Sequence, residues 1–197
     1  MNGTTTVSFV GVGGQGVLLA SNILAQTAMA QGYDVKASEV KGMAQRGGSV
    51  LSTVRFGKLV WSPLARHADV VIATELLEGR RALPLLAPQG ALICARTIIS
   101  PGSVLRGETQ YPQDIEAAAA ARSVTLLLVD AEAVARQAGT VRAANVALLG
   151  AASAKLPFNE AAWQQGLAAA IPAKILDVNQ RAFALGREAH LNEEVTL

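Results

Sequence analysis

A glycine-rich stretch near the amino terminus constrains the fold of this chain more than any other feature of its sequence. The run Thr5–Val12 is short, apolar and β-branched, which is typical of a buried strand. Residues 14–31 then carry apolar side chains at helical spacing. Where strand and helix meet, the sequence reads Gly-Val-Gly-Gly-Gln-Gly, so a Gly-x-Gly-x-x-Gly pattern stands in the context of a dinucleotide-type turn. The chain is therefore predicted to begin with a strand, a tight turn and a helix.

The predicted turn has a chemistry of its own. Glycine permits a tight backbone and the close approach of a ligand, while a helix amino terminus presents unpaired N–H groups and a partial positive charge. We expect the turn to offer its backbone to a phosphate-bearing ligand or to a partner subunit. The alternative is that the glycines only let strand and helix pack closely. The candidate binding residues of the turn are Gly11, Gly13, Gly14, Gln15 and Gly16.

The rest of the chain alternates strand and helix patterns. A weaker strand at residues 34–38 is predicted to complete a first βαβ unit of a parallel sheet. Buried-strand candidates follow at 69–74, 90–95 and 123–130, and from Asp130 the chain is predicted to be helical almost to its end. This alternation favours an α/β fold of three layers, Rossmann-like, with a mostly parallel sheet and helices on both faces. The length of 197 residues suits one domain over residues 1–197.

Two stretches interrupt the alternation. Residues 50–56 alternate like a strand, Gly57 and Lys58 are candidates for a hairpin turn, and residues 59–61 are candidates for its return. We interpret this hairpin as an insertion that the core fold does not need. Residues 97–112 are predicted to form a long loop, and loops of that length in compact domains are often functional.

Composition excludes several classes of protein. Half of the residues are hydrophobic (51%), yet charge or glycine breaks every apolar run before the roughly 18–20 residues that a spanning helix needs. The amino terminus lacks the pattern of a signal peptide, so we expect a cytoplasmic protein without membrane association. A single cysteine, Cys94, excludes an internal disulfide and a cluster or zinc site of several thiolates. The net charge of +2 is dispersed, which argues against nucleic acid as a partner.

A second candidate stretch begins at the carboxyl end of the predicted second strand. Open α/β sheets place their ligands at that edge. Arg46 is followed there by two glycines, so its guanidinium stands on flexible backbone and suits bidentate pairing with a carboxylate or phosphate. The alternative is a solvated loop arginine. The candidate residues of this stretch are Ser38, Glu39, Met43, Arg46, Gly47 and Gly48.

The sequence contains no recognisable catalytic constellation. His67 and His190 have no spacing that suggests a metal site or a Ser-His-Asp arrangement. Cys94 stands in an apolar run and is predicted to be a buried core thiol. Asn145 is polar within an apolar helical stretch, so we expect it to hydrogen-bond a ligand or another chain. We predict no metal ligand and name no catalytic residue.

An NAD site would need an acidic residue about 20 residues beyond the glycines, at the end of the second strand. Asp34 precedes that strand and Glu39 comes late. A freestanding NAD or nucleotide-binding module is therefore an alternative that the spacing of these carboxylates weakens.

Three motifs together resemble a known family. They are VGVGGQGV at residues 10–17, SE at 38–39 followed by MAQRGGSV at 43–50, and NVALLGA at 145–151. In this combination the chain resembles the gamma-type subunit or domain of the 2-oxoacid:ferredoxin oxidoreductases. Met-Ala-Gln-Arg-Gly-Gly is closest to the indolepyruvate type, since pyruvate-type members usually have Pro-Glu-Met-Arg-Gly-Gly there.

The resemblance implies a multi-subunit enzyme that is not active as this chain alone. Such enzymes convert a 2-oxoacid, here indolepyruvate or another arylpyruvate, to an acyl-CoA with release of CO2 and reduction of ferredoxin. It implies thiamine diphosphate and iron–sulfur clusters on a larger partner subunit, and coenzyme A at or near this chain. The Gly11–Gly16 turn, with Gln15 as a donor, is then expected to hold part of coenzyme A or a partner loop, and Arg46 to approach the thiamine or coenzyme A pocket. A pyruvate- or 2-oxoglutarate-type member and a purely structural subunit are the alternatives.

Overall fold

The structure, a computed structural model, describes residues 3–41 and 48–193. Within these ranges the strands are β1 (Thr5–Val12), β2 (Asp34–Lys41), β3 (Ser49–Gly57), β4 (Ala68–Ala73), β5 (Leu86–Ala95) and β6 (Thr125–Val129). The α-helices are α1 (Val17–Ala30), α2 (Leu76–Ala82), α3 (Gly102–Leu105), α4 (Ile115–Ala120), α5 (Ala131–Ala138), α6 (Ala144–Ala152), α7 (Glu160–Ala170) and α8 (Ala173–Glu193). None of the described helices is long and apolar enough to cross a membrane.

One sheet runs through the molecule in the order β2-β3-β1-β4-β5-β6. Neighbouring strands are parallel from β1 through β4 and β5 to β6, and only β3 runs against them. The predicted fold class, a three-layer α/β fold with a mostly parallel sheet and helices on both faces, is confirmed. The predicted helical end of the chain is confirmed as well, with Pro157 and Pro172 between helices.

The sequence located the second strand, but it predicted the wrong neighbour for it in the sheet. Residues 34–38 were expected to lie beside β1 in a parallel βαβ unit, but β2 is a longer edge strand that pairs antiparallel with β3. The strand β3 occupies the position beside β1, in a register that runs from Thr5 opposite Phe56 to Val12 opposite Ser49. The alternation of apolar residues indicates which side chains of a strand are buried, but it does not determine which strand pairs with it.

The interpretation of residues 50–56 as a dispensable insertion was also wrong. Alternate residues of β3, namely Val54 and Phe56, are buried beneath α1 as part of the main hydrophobic core. Phe56 packs against the rings of Tyr33 and Phe158, at 5.7 and 5.0 Å between ring centroids. The expected return strand at residues 59–61 does not form, since the chain runs without regular structure from Lys58 to His67.

The two faces of the sheet are covered unequally. Helices α1, α6, α7 and α8 bury one face in a continuous apolar core that includes Trp163 and Phe183. The other face carries the short helices α2, over β1, β4 and β5, and α4, over β6. In the helical layer, α6 and α8 approach so closely that a Cβ on Gly186 would lie 1.9 Å from the carbonyl oxygen of Ala147. The helices α1, α2 and α5 begin at the carboxyl edge of the sheet, where the candidate site lies.

Candidate functional site

The glycine turn connects β1 directly to α1. Gly16 is the residue before the helix and adopts a left-handed backbone with φ of 76°, and Gly14 also has a positive φ of 104°. The first four N–H groups of an α-helix have no intrahelical acceptor, so the start of α1 presents donors at this edge. Gly13 is bonded to the residue that precedes β3, because its N–H donates to the carbonyl oxygen of Gly48 at 2.8 Å.

The side chain of Gln15 braces the turn from inside. Its Oε1 accepts from the backbone N–H of Val12 and from the Thr74 hydroxyl, both at 2.8 Å. Its Nε2 donates to the carbonyl oxygen of Thr74 at 3.0 Å. These contacts tie the turn to the carboxyl end of the neighbouring strand β4. Gln15 was expected to donate to a ligand, and its described contacts give it a bracing role in addition.

Asn145 closes the turn from the helical layer. It lies on α6, is only 6% exposed, and its Nδ2 donates to the carbonyl oxygen of Gly16 at 3.0 Å. A Cβ on Gly16 would lie 2.4 Å from that same Nδ2, so the residue beneath Asn145 must be glycine. Asn145 was expected to hydrogen-bond a ligand or another chain; its described hydrogen bond is instead to the glycine turn of its own chain, and a contact with a ligand stays a prediction.

A pocket of about 420 Å³ opens beside the turn. The residues that line it come from several separate segments of the chain: Gly14, Gln15, Gly16, Leu19, Thr74, Ala95, Thr97, Ala131, Glu132, Val141, Arg142, Ala144, Asn145 and Leu148. Of the candidates chosen from the sequence, Gly14, Gln15, Gly16 and Asn145 are thus brought together, whereas Gly11 and Gly13 do not line the pocket.

The charges around the pocket differ in how they are paired. Glu132 is engaged by Arg136 at 2.8 Å and by the Thr97 hydroxyl at 3.4 Å. The guanidinium of Arg142 is exposed and has no ion-pair or hydrogen-bond partner among residues 3–41 and 48–193. With the amino terminus of α1 it forms the electropositive part of the pocket, which suits an anionic group.

Sequence reasoning missed Thr74, Thr97, Glu132 and Arg142. Thr74 directly follows β4, Thr97 lies two residues after β5, and Glu132 is the second residue of α5, the helix after β6. Because carboxyl ends of parallel strands share one edge, that position was the available signal. Nothing local in the sequence distinguishes Arg142, which lies just before α6 and lines the pocket together with Asn145.

The second candidate stretch meets the turn only in part. Gly48 contacts Gly13 through its carbonyl oxygen. Ser38 and Glu39 lie on β2, separated from β1 by β3, and do not line the pocket. The remaining candidates, Met43, Arg46 and Gly47, lie outside the described residues.

The carboxylate that an NAD site would need is elsewhere. Asp34 begins β2 at the opposite edge of the sheet, where its Oδ1 accepts from the Lys36 ammonium at 2.7 Å. Its Oδ2 accepts from the N–H of Val60 at 2.8 Å. The hydrogen bond from Lys36 lowers the pKa of Asp34 most, and the one from Val60 lowers it further. Because β3 stands beside β1, the strand end that carries the ribose-binding acid in a dinucleotide fold is not in its usual place.

A buried carboxylate anchors the long loop beside the pocket. Glu75 is 1% exposed and accepts from the N–H groups of Glu78 at 2.8 Å and Ile99 at 3.1 Å, and from the Tyr111 hydroxyl. Burial, and then the hydrogen bond to Glu75, raises the pKa of Tyr111. Residues 97–112, predicted as a loop, contain only the single helical turn α3 and are held at both ends by this carboxylate.

Cys94, the one cysteine of the chain, does not line the pocket. Cys94 is fully buried, and burial followed by the charge of Glu75 raises its pKa, so the prediction of a core thiol is confirmed. Within residues 3–41 and 48–193 no group of three His, Cys, Asp or Glu is placed to hold a metal ion.

Comparison with known proteins gives matches along nearly the whole chain. The family described as pyruvate ferredoxin/flavodoxin oxidoreductase matches residues 6–189. The chain is 36% identical over 190 residues to the indolepyruvate oxidoreductase subunit IorB of Thermococcus kodakarensis, covering 93% of this chain and 94% of that protein. It is 38% identical over 183 residues to the same subunit of Archaeoglobus fulgidus, covering 90% of each.

Solved structures share the fold. The gamma subunit of a keto/oxoacid ferredoxin oxidoreductase from Geobacter sulfurreducens superposes with a TM-score of 0.73 at 22% identity, over 95% of this chain and 99% of that one. A 2-oxoglutarate:ferredoxin oxidoreductase from Magnetococcus marinus, solved with 2-oxoglutarate, coenzyme A and succinyl-CoA, gives 0.75 at 17% identity. This chain covers 31% of that protein, so the fold also occurs as one part of a longer polypeptide.

Proposed function

Because this chain belongs to the pyruvate ferredoxin/flavodoxin oxidoreductase family, we propose that it is the coenzyme A-binding small subunit of an arylpyruvate-oxidising complex. The reaction is the oxidative decarboxylation of indolepyruvate or another arylpyruvate to the aryl-acetyl-CoA, with release of CO2 and reduction of ferredoxin. The names of the relatives at 36 and 38% identity support the choice of indolepyruvate. As a subunit of an oxidoreductase, the chain is not active alone.

The donor chemistry of the chain supports a division of labour between subunits. An iron–sulfur cluster is normally held by several cysteine thiolates, and this chain has one cysteine, which is buried. We therefore assign the clusters to a larger partner subunit, through which ferredoxin is reduced, and we propose that the same subunit holds thiamine diphosphate. Bound there, thiamine diphosphate would supply the electron sink for decarboxylation of the oxoacid.

The observation that carries the proposal is the pocket beside the glycine turn. An anionic group of coenzyme A is bound by the N–H groups at the start of α1 together with the guanidinium of Arg142. Asn145 and Gln15 hold the turn in the conformation that aims these donors. The volume of about 420 Å³ suits part of coenzyme A rather than the whole molecule. Arg46, followed by Gly47 and Gly48, is proposed to approach the same ligand or the thiamine from the neighbouring loop.

Steady-state kinetics of the co-expressed pair of subunits tests the assignment. Reduction of ferredoxin or a dye is followed with indolepyruvate, phenylpyruvate, pyruvate and 2-oxoglutarate as substrates. Arg142→Ala is expected to raise the KM for coenzyme A about tenfold, as for the loss of a charge-assisted hydrogen bond at an exposed site. The KM for the oxoacid should not change. Arg46→Ala should raise the KM for coenzyme A or lower kcat.

The matched control is Arg122→Ala, which removes an exposed arginine that does not line the pocket. An unchanged KM for coenzyme A in Arg142→Ala would contradict the assignment of the pocket. A preference for pyruvate or 2-oxoglutarate would show that the complex is another substrate type of the same family. Submicromolar binding of NAD to the isolated chain would instead support a freestanding nucleotide-binding module.

A further inference from the structure

The segment between β3 and β4 displays an unusual concentration of exposed apolar side chains. We call this segment, residues 58–67, the tongue. Trp61 is 88% exposed, Leu64 is 73% exposed and Leu59 is 55% exposed. Large exposed apolar groups that are close together commonly mark surfaces for another protein. The tongue follows the end of β3 and precedes β4, so it lies at the amino edge of the sheet, opposite the pocket.

The tongue is held in place by backbone contacts. The Nη1 of Arg55 donates to the carbonyl oxygens of Ser62 at 2.6 Å and Leu64 at 2.8 Å. Val60 is buried, and its N–H donates to the carboxylate of Asp34. These contacts fix the backbone on both sides of Trp61 while the indole itself stays outside. A side chain presented on an ordered backbone costs little conformational entropy when it binds.

Two cations flank the apolar side chains. Lys58 and Arg66 are exposed, and neither has an ion-pair partner among residues 3–41 and 48–193. Two copies related by a twofold axis would bring these like charges together, which disfavours self-association through the tongue. The complementary surface is an apolar pocket with carboxylates at its rim.

We propose that the tongue docks this chain onto the larger subunit of the complex, with Trp61 inserted in an apolar pocket and Lys58 and Arg66 facing acidic side chains. The proposal rests on the proposed function only in naming the larger subunit as the partner. Tryptophan is enriched among the residues that dominate binding energy at protein interfaces. This contact at the amino edge is separate from the carboxyl edge, where the coenzyme A pocket must also reach the thiamine of the larger subunit.

Dilution of the purified, co-expressed complex measures the affinity between subunits. Trp61→Ala is expected to raise the dissociation constant about thirtyfold or more, as for a central interface residue. Lys58→Glu and Arg66→Glu should slow association and weaken its dependence on ionic strength. The matched control is Ile175→Ala, which truncates a 41% exposed apolar side chain outside the tongue. Ile175 lies on α8, in the same helical layer as α1, α6 and α7. This control should leave the dissociation constant unchanged.

Two results would overturn the docking proposal. One is a Trp61→Ala complex as tight as the wild type. The other is an isolated chain that sediments as a dimer and becomes monomeric on Trp61→Ala, which would make a second copy the occupant. The kinetic assay separates the two proposals: a tight complex without coenzyme A-dependent activity contradicts the proposed function, while normal activity with an unaffected Trp61→Ala complex contradicts only docking by the tongue.

Discussion

The glycine turn and the tongue are both irregular segments with fixed backbones, and they are fixed in opposite ways. The turn is concave and is braced from within by amide side chains, Gln15 and Asn145, whose polar atoms reach its backbone. The tongue is convex and is held from beneath by charged side chains, Arg55 and Asp34, that bond its backbone. In the turn the N–H groups at the start of α1 have no intrahelical acceptor, whereas in the tongue the backbone is bonded and the side chains of Leu59, Trp61 and Leu64 are exposed.

This difference shows how one sheet supports two kinds of recognition. A backbone cradle of glycines and a helix terminus suits a small anionic ligand, because its donors are close together and lie at fixed positions. An ordered loop with an exposed indole suits a protein surface, because most of its binding energy comes from apolar area. The two segments lie at opposite edges of the sheet, so each can be altered without touching the other.

The largest effect is expected on folding stability, at the turn glycine that has no room for a side chain. A Cβ at Gly11 would lie 1.9 Å from the Thr74 hydroxyl oxygen and 2.9 Å from a methyl group of Val17. Gly11→Ala should therefore lower the free energy of unfolding by about 3 kcal/mol, as overpacking of a closed core does. Gly14→Ala is the matched control: nothing lies within 4 Å of its Cβ, but its φ is positive. It should lose only about 1 kcal/mol. Urea unfolding measures both, and equal losses would contradict the closed packing at Gly11.

A smaller effect is expected when the tongue is released. Arg55→Ala removes the donors to the carbonyl oxygens of Ser62 and Leu64 and should cost about 1 kcal/mol of stability. Hydrogen exchange should rise in residues 58–67 and stay unchanged in the glycine turn. Arg55→Lys keeps the charge but cannot bond both carbonyls as a planar guanidinium does, so it should also release the tongue. A rise in exchange at both segments would show that they are not independent.

The smallest effect is expected on the pH dependence of the hydrogen bond between the Val60 amide and the Asp34 carboxylate. The pKa of Asp34 is lowered, chiefly by its hydrogen bond to Lys36 and then by that from Val60. A lowered carboxylate pKa contributes stability that is present above the pKa of the unfolded chain and is lost as pH falls through that of the folded chain. The Val60 amide should therefore stay hydrogen-bonded near neutral pH and weaken only in strong acid. Its NMR chemical shift measures this, and Asp34→Asn should abolish the dependence. A transition near neutral pH would contradict the stabilised carboxylate.

Much of the fold could be predicted where the signals are local. The first strand, turn and helix follow from apolar spacing and three glycines, and the core positions of β4, β5 and β6 follow from their apolar runs. The turn residues of the site and Asn145 could be named on the same basis. The neighbour of β1 could not, because β3 reaches that position by pairing across 37 to 51 residues of sequence, from Val12 with Ser49 to Thr5 with Phe56. Periodicity identifies a strand, and its partner is chosen by packing of the whole sheet.

By itself, the sequence determined the glycine turn at the end of a buried strand and the family to which its motifs belong. The tertiary structure decided that Asn145 lies on Gly16, that Arg142 and Thr97 complete the pocket, and that Trp61 is displayed on a fixed tongue. The physical reason lies in the range of the interactions. Backbone conformation and burial follow from neighbouring residues, whereas a pocket and an exposed patch arise where segments distant in sequence meet or fail to cover one another.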